Sequence, residues 1–259
     1  MRRARRVAAD GGHGAPRPRR GAPGVDPSGP WEWIWLNPAA NSSPPRVTPG
    51  EIRPPTPDQI QRLVASVEGT DLDFATYLWL AASTGARRSQ MLGLRWADID
   101  LTHSAIGFSR AYVEGPAGPV LRATKTHRTY RVALDETSMQ RLVDHYQRST
   151  QRATHHEHLL TDKAFVFSAE PDGSLPWLPN RVTKMFIDHR RRAAVGQFRL
   201  HDLRHFMATE MLAHGVAIVT VSQRLGHARA STTLNVYGHC VPGADRDAAD
   251  YIAELLTSR

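Results

Sequence analysis

Two histidines, an arginine and a tyrosine between Leu200 and His239 have the types and spacing that chemistry on a phosphodiester requires. His201 and Arg204 stand three residues apart, so on a helix they share one face and bring a ring nitrogen and a guanidinium to one anion. Gly226-His227 follows, and ten residues beyond that histidine lies Tyr237. A tyrosine hydroxyl is a covalent nucleophile when one group takes its proton and another holds the electrophile. Each residue alone has a plainer reading: a surface ion-pairing face for His201 and Arg204, a helix C-cap before an exposed His227, and a half-buried aromatic for Tyr237. It is their combination that points to a site.

The elements that must position these residues are mostly helical. Thr56, Pro57 and Gln59 form an N-cap, a first-turn proline and a capping-box partner, and Ile60, Leu63 and Val64 mark the amphipathic helix that follows. A second helix, from about Asp71 to Ala82, is apolar nearly all round and is expected to be buried. Thr84-Gly85 breaks it, and a helix resumes from Arg87 to Leu94. Strand-like patterns run over 105–113 and over 120–134, the latter read as a hairpin around residues 125–128. Asp135 caps the next helix, 164–167 is a short strand, and Pro179 opens a helix ending in Arg190, Arg191 and Arg192. That basic end either touches phosphates or is a solvated helix terminus. A last helix spans about 245–256. The expected fold class is mainly α with a small antiparallel sheet, an α+β domain.

Composition narrows the partner. The chain has 259 residues, 41% hydrophobic and 22% charged, which suits one or two globular domains with an ordinary core. A net charge of +8 favours a polyanion, nucleic acid before a membrane surface. The single cysteine, Cys240, rules out an internal disulfide framework and fits a reducing compartment. No apolar run approaches the roughly 18 residues of a membrane-spanning helix, so a cytoplasmic location is expected. His155, His156 and His158 lie close together, but no second ligand cluster has zinc-like spacing, and a solvated loop is the expectation. Residues 1–30, with seven arginines among Gly, Pro and Ala, read as a disordered basic tail.

The sequence TGARRSQMLGLRWADID from Thr84 to Asp100, with HDLRH, LGH and the downstream tyrosine, resembles the phage-integrase-type tyrosine recombinases. The resemblance covers residues 51–259, that family's catalytic domain, and Lys125-Thr126 stands where the family carries a lysine on a β-hairpin. It implies site-specific DNA recombination by strand cleavage and rejoining. Arg87 and Arg204 would clamp the scissile phosphate, Tyr237 would attack to form a 3′-phosphotyrosyl link, and Lys125 would protonate the leaving 5′ oxygen. His201 would accept the tyrosine proton, needed because a free phenol has a pKa of about 10, and His227 would hydrogen-bond the phosphate. The link conserves bond energy, so no cofactor, ATP or metal is implied. The expected partner is double-stranded DNA carrying attachment sites, bound by a homo-tetramer, with no membrane and no small-molecule substrate. A non-catalytic DNA-binding remnant and a type IB topoisomerase-like relaxer are the competing expectations.

Two features depart from the family pattern. Gln90 stands where an acidic residue is usual; it accepts hydrogen bonds but lends no negative charge to neighbouring cations. Ahead of the catalytic domain the family carries a core-binding domain, of which only 31–50, beginning WEWIWLNP, resembles a remnant and linker. A truncated gene, a wrong start or a frameshift is the expectation drawn from that abrupt change of composition.

Overall fold

The computed structural model describes residues 54–115, 118–123, 129–238 and 244–257. The predicted tail and the remnant at 31–50 lie outside the described residues, as does Lys125. Helix α1 (Pro57–Glu68) begins with the expected capping box: the Thr56 side chain accepts from the Gln59 backbone, and the Gln59 side chain accepts from the Thr56 N–H. Helix α2 (Leu72–Thr84) is buried on nearly every side, as its all-round apolar sequence demands. It ends at Gly85, whose φ of +65° is the left-handed conformation that glycine adopts at no steric cost. Helix α3 is shorter than expected, Arg88–Leu92, and a single 3-10 turn follows at Trp96–Asp98.

The strand region is where the sequence reading fails. Five strands are observed: β1 (Ile99–Asp100), β2 (Ala105–Phe108), β3 (Arg110–Gly115), β4 (Gly118–Ala123) and β5 (Tyr130–Ala133). The halves of the expected hairpin, β4 and β5, do not pair with each other. Strand β4 pairs antiparallel with β3, and β5 pairs with β2 beyond β1, giving two small sheets instead of one. Burial decides the partnership: opposite one another, Ile106 and Val132 are both buried, and the Phe108 and Tyr130 rings stack at 5.1 Å. The stretch 164–167 forms no strand; it is held by single hydrogen bonds to the chain after α3, such as Val166 N–H to the Leu94 carbonyl.

The remaining helices are α4 (Glu136–His155), α5 (Pro179–Arg192), α6 (Asp202–Ala213), α7 (Ile218–Arg224), α8 (Ala230–Tyr237) and α9 (Ala244–Thr257). Asp135 caps α4 as expected. Arg190 corrects the solvated-end reading of α5: it is buried and donates to the Phe198 carbonyl and to Gln197 Oε1, anchoring the approach to α6. Arg191 and Arg192 are exposed. Trp79 lies half-buried against the core and donates to Ser138 Oγ across to α4. Phe74, Tyr77, Phe167 and Trp177 form the aromatic centre, and a smaller apolar cluster joins α6, α7 and α8.

Helices α2 and α4 are pinned together by Asp73, which accepts from His145 Nδ1 (3.0 Å), Arg148 Nε (2.9 Å) and Arg152 Nη1 (2.8 Å). Burial by itself pushes the Asp73 carboxyl up, but these donors outweigh it and hold it well below the usual carboxylate range. A depressed folded-state value stabilises the fold above the unfolded value near 3.8, and that contribution fades as pH falls through the folded value. Asp73→Asn is therefore expected to cost about 3 kcal/mol at pH 7 in urea unfolding, with the gap to the unsubstituted protein shrinking below about pH 4. Equal midpoints at pH 7 would show that the cluster is not an anchor.

Candidate active site

Helix α6 places two of the sequence-predicted residues, and a third side chain beside them, at its start. His201 is its exposed N-cap, Arg204 lies in the first turn, and His205 follows. Asp202 fixes the start by accepting from the Arg199 backbone N–H at 2.7 Å and pairing with the Arg199 side chain at 3.0 Å.

Arg204 is only 3% exposed and acts as a hub. Its Nη1 donates to the Gly85 carbonyl at 2.6 Å; its Nη2 donates to the Leu225 carbonyl at 2.7 Å and faces His227 Nε2 at 2.8 Å. One guanidinium thus joins the α2–α3 turn to the α7–α8 turn, segments more than a hundred residues apart in sequence. These three partners are all uncharged, and Arg87 adds a second positive charge nearby. Burial first, and then Arg87, lower the Arg204 value to about 10. Among the described residues no carboxylate offsets the Arg204 charge, the condition that favours an incoming anion.

His227 completes the hub. Since an arginine only donates, His227 Nε2 is the acceptor, and Nδ1–H donates to Thr233 Oγ1 at 2.8 Å. Burial, then the charges of Arg204 and Arg87, push His227 down to about 4, so the ring is neutral at pH 7. His201 is likewise held at about 4, by desolvation and then by its neighbours His205 and Arg204. Arg87 precedes α3 and is exposed; with Arg88, Arg199 and His201 it lines one open cavity.

Tyr237 is the last residue of α8 and only 2% exposed, because its ring belongs to the apolar cluster with Met207, Leu212 and Val221. Its hydroxyl lies 2.7 Å from His205 Nδ1. Sequence reasoning missed His205, although its position four residues after His201 puts it on the same helical face.

Tyr130 was missed as well. Its hydroxyl donates to Gln90 Oε1 at 3.1 Å, and the same oxygen accepts the Arg87 backbone N–H at 3.1 Å. Gln90 is buried and meets both donors with a neutral amide. Burial raises the Tyr130 value against the pull of Arg204 and Arg87, so Tyr130 remains a neutral donor. The ring packs on Gly226, where φ is +64° and an added Cβ would come 2.5 Å from Tyr130 Cε1. Gly226→Ala is expected to displace that ring, loosen Gln90 and Arg87, and cost about 1–3 kcal/mol, read as a lower melting temperature. A melting temperature equal to that of the unsubstituted protein would contradict the close contact. Among the described residues no group of three or more His, Cys, Asp or Glu side chains is arranged to hold a metal ion.

A mostly helical domain with small antiparallel sheets, carrying a buried arginine–histidine hub beside a tyrosine, has the fold of integrase catalytic domains. Solved structures with this fold include the Tn1549 transposon integrase in complex with transposon right end DNA, 19% identical, with a TM-score of 0.65 over 80% of this chain and 68% of that one. The catalytic domain of bacteriophage HP1 integrase has a TM-score of 0.50 at 17% identity, over 78% of this chain and 95% of that one. The chain belongs to the phage integrase family, whose model matches residues 55–242. Its relatives include the ICEBs1 integrase of Bacillus subtilis, 26% identical over 77% of this chain and 54% of the relative. Tyrosine recombinase XerC of Chlorobaculum tepidum is 31% identical over 66% of this chain and 46% of the relative. The chain spans about half the length of the curated relatives it matches. Among the described residues, no helix is long and apolar enough to cross a membrane.

Proposed function

We propose that this chain is a site-specific DNA recombinase that cuts and rejoins double-stranded DNA through a 3′-phosphotyrosyl intermediate formed on Tyr237. The observation that carries the reading is the meeting of α6 and α8: the Tyr237 hydroxyl is hydrogen-bonded to an imidazole of the same helix that presents the Arg204–His227 hub. Arg204 and Arg87 hold the non-bridging oxygens of the phosphate and offset the charge that builds as phosphorus becomes five-coordinate. His201 and His227 are the flanking imidazoles, and Lys125 is the acid for the leaving 5′ oxygen.

Residues 51–259 form the catalytic unit, and the seven arginines of residues 1–30 add sequence-independent grip on phosphates. The protein works in the cytoplasm, where its DNA is, and as a tetramer. Helix α9 supports assembly: Tyr251, Ile252, Leu255 and Leu256 are all exposed on it, an apolar set that a neighbouring copy would cover.

The test is a nicked duplex built from the DNA flanking the gene. Cleavage beside the nick loses the short fragment and traps the protein on the 3′ end. An adduct that survives detergent supports the reading; intact substrate across the flanking sequence at equal protein and DNA would refute it.

A further inference from the structure

We propose that His205 is a catalytic residue, the first acceptor of the Tyr237 proton. This rests on the recombinase reading above and adds to it, since the family resemblance gives that role to His201. The geometry points to His205 because its Nδ1 is 2.7 Å from the Tyr237 oxygen, within the hydrogen-bond reach a general base needs. Tyr237 is 2% exposed, so bulk water is a poor competitor for the proton.

The arrangement has the parts of an activated nucleophile: a hydroxyl, an imidazole, and groups that steady the imidazole. His201 lies edge to face against His205 with ring centroids 5.1 Å apart. The charged groups facing His205 are Asp202 and Arg204 on its own helix and Arg199 just before it; Asp202 favours the imidazolium, whereas Arg199 and Arg204 oppose it. Tyr237 faces it from α8. Burial and the two arginines keep the ring neutral at rest, so that Nδ1 carries a free lone pair. The buried Asp202 carboxylate then offsets the charge as the imidazolium forms.

In the forward step the Tyr237 O–H bond breaks and its proton passes to His205 Nδ1. The oxygen pair forms the bond to phosphorus, the P–O5′ bond breaks, and the expelled oxygen takes a proton from the general acid of the recombinase reading. Rejoining reverses the sequence and returns the His205 proton to the tyrosine. No oxidant, reductant or further reactant enters.

The experiment measures single-turnover adduct formation on the nicked duplex across pH for the full chain and for His205→Ala, His205→Asn, His201→Ala and Tyr237→Phe. An adduct with the unsubstituted protein and none with Tyr237→Phe establishes the recombinase reading independently of His205. If His205 is the acceptor, His205→Ala slows cleavage by about 100-fold or more near pH 7, and its rate keeps climbing with pH where the unsubstituted protein has levelled off. His205→Asn, which keeps a hydrogen-bonding group but takes no proton, stays as slow. Full rescue by asparagine, or a rate and pH profile in His205→Ala like those of the unsubstituted protein while His201→Ala shows the loss, overturns the proposal. Nitrogen-15 histidine spectra supply a readout apart from turnover. The His205 Nδ1 signal of an unprotonated acceptor, shifted by Tyr237→Phe, is expected; a protonated Nδ1, or no shift, contradicts the contact on which the assignment stands.

Discussion

Tyr237→Phe is expected to abolish covalent capture of nicked DNA while leaving the fold intact. The phenylalanine keeps the ring that packs with Met207, Leu212 and Val221 and removes only the oxygen facing His205. Loss of one hydrogen bond of this kind costs about 1 kcal/mol of stability, or a few degrees of melting temperature in a domain this size. The chemical consequence is of another order, because no other atom of that side chain can bond to phosphorus. Adduct formation should fall below detection, whereas DNA binding measured by fluorescence anisotropy stays within about twofold, since the proposed phosphate grip resides in the arginines. Undiminished adduct in Tyr237→Phe would place the nucleophile elsewhere.

Arg204→Lys is expected to slow cleavage by roughly 100- to 1000-fold even though it conserves the charge. Arg204 spans the Gly85 and Leu225 carbonyls and His227 with one planar group. A lysine ammonium is a compact point charge and does not reach three partners in fixed directions while leaving donors for a phosphate. Arg204→Ala carries a structural penalty as well: two buried carbonyls lose their donor at about 1–3 kcal/mol each, so the melting temperature should fall by several degrees. The lysine variant is the cleaner probe, and melting temperature and single-turnover rate should be measured on the same samples. A lysine variant as fast as the unsubstituted protein would show that charge alone, without the fork, is enough.

Helix boundaries were legible wherever a local chemical signal set them. Thr56 and Gln59 at α1, Asp135 at α4, Pro179 at α5 and Gly85 after α2 all mark element ends as expected. These are short-range effects, a side chain satisfying an orphan N–H or a glycine accepting positive φ, and so they survive in sequence. Strand pairing is a different matter. Both β4 and β5 carry strand-forming residues, and proximity in sequence favours joining them; the burial of Ile106 and Val132 and the stacking of Phe108 on Tyr130 send β5 to β2 instead. Arg190 is a similar case: its charge suggested solvent, and only the fold supplies the Phe198 carbonyl and Gln197 that bury it.

The sequence by itself determined which residue types are present and which of them share a helix turn, and so it singled out His201, Arg204, His227 and Tyr237 together with Arg87. Tertiary structure alone decided their partners. It assigned the Tyr237 hydroxyl to His205, seated Gln90 beneath Tyr130 and Arg87, and made Arg204 the link between the Gly85 and Leu225 turns. The reason is physical. Spacing of three or four residues fixes a face within one helix, but the hydrogen bonds that orient a nucleophile or a guanidinium cross between elements distant in sequence. Their geometry is set by how the apolar faces of α2, α6, α7 and α8 pack.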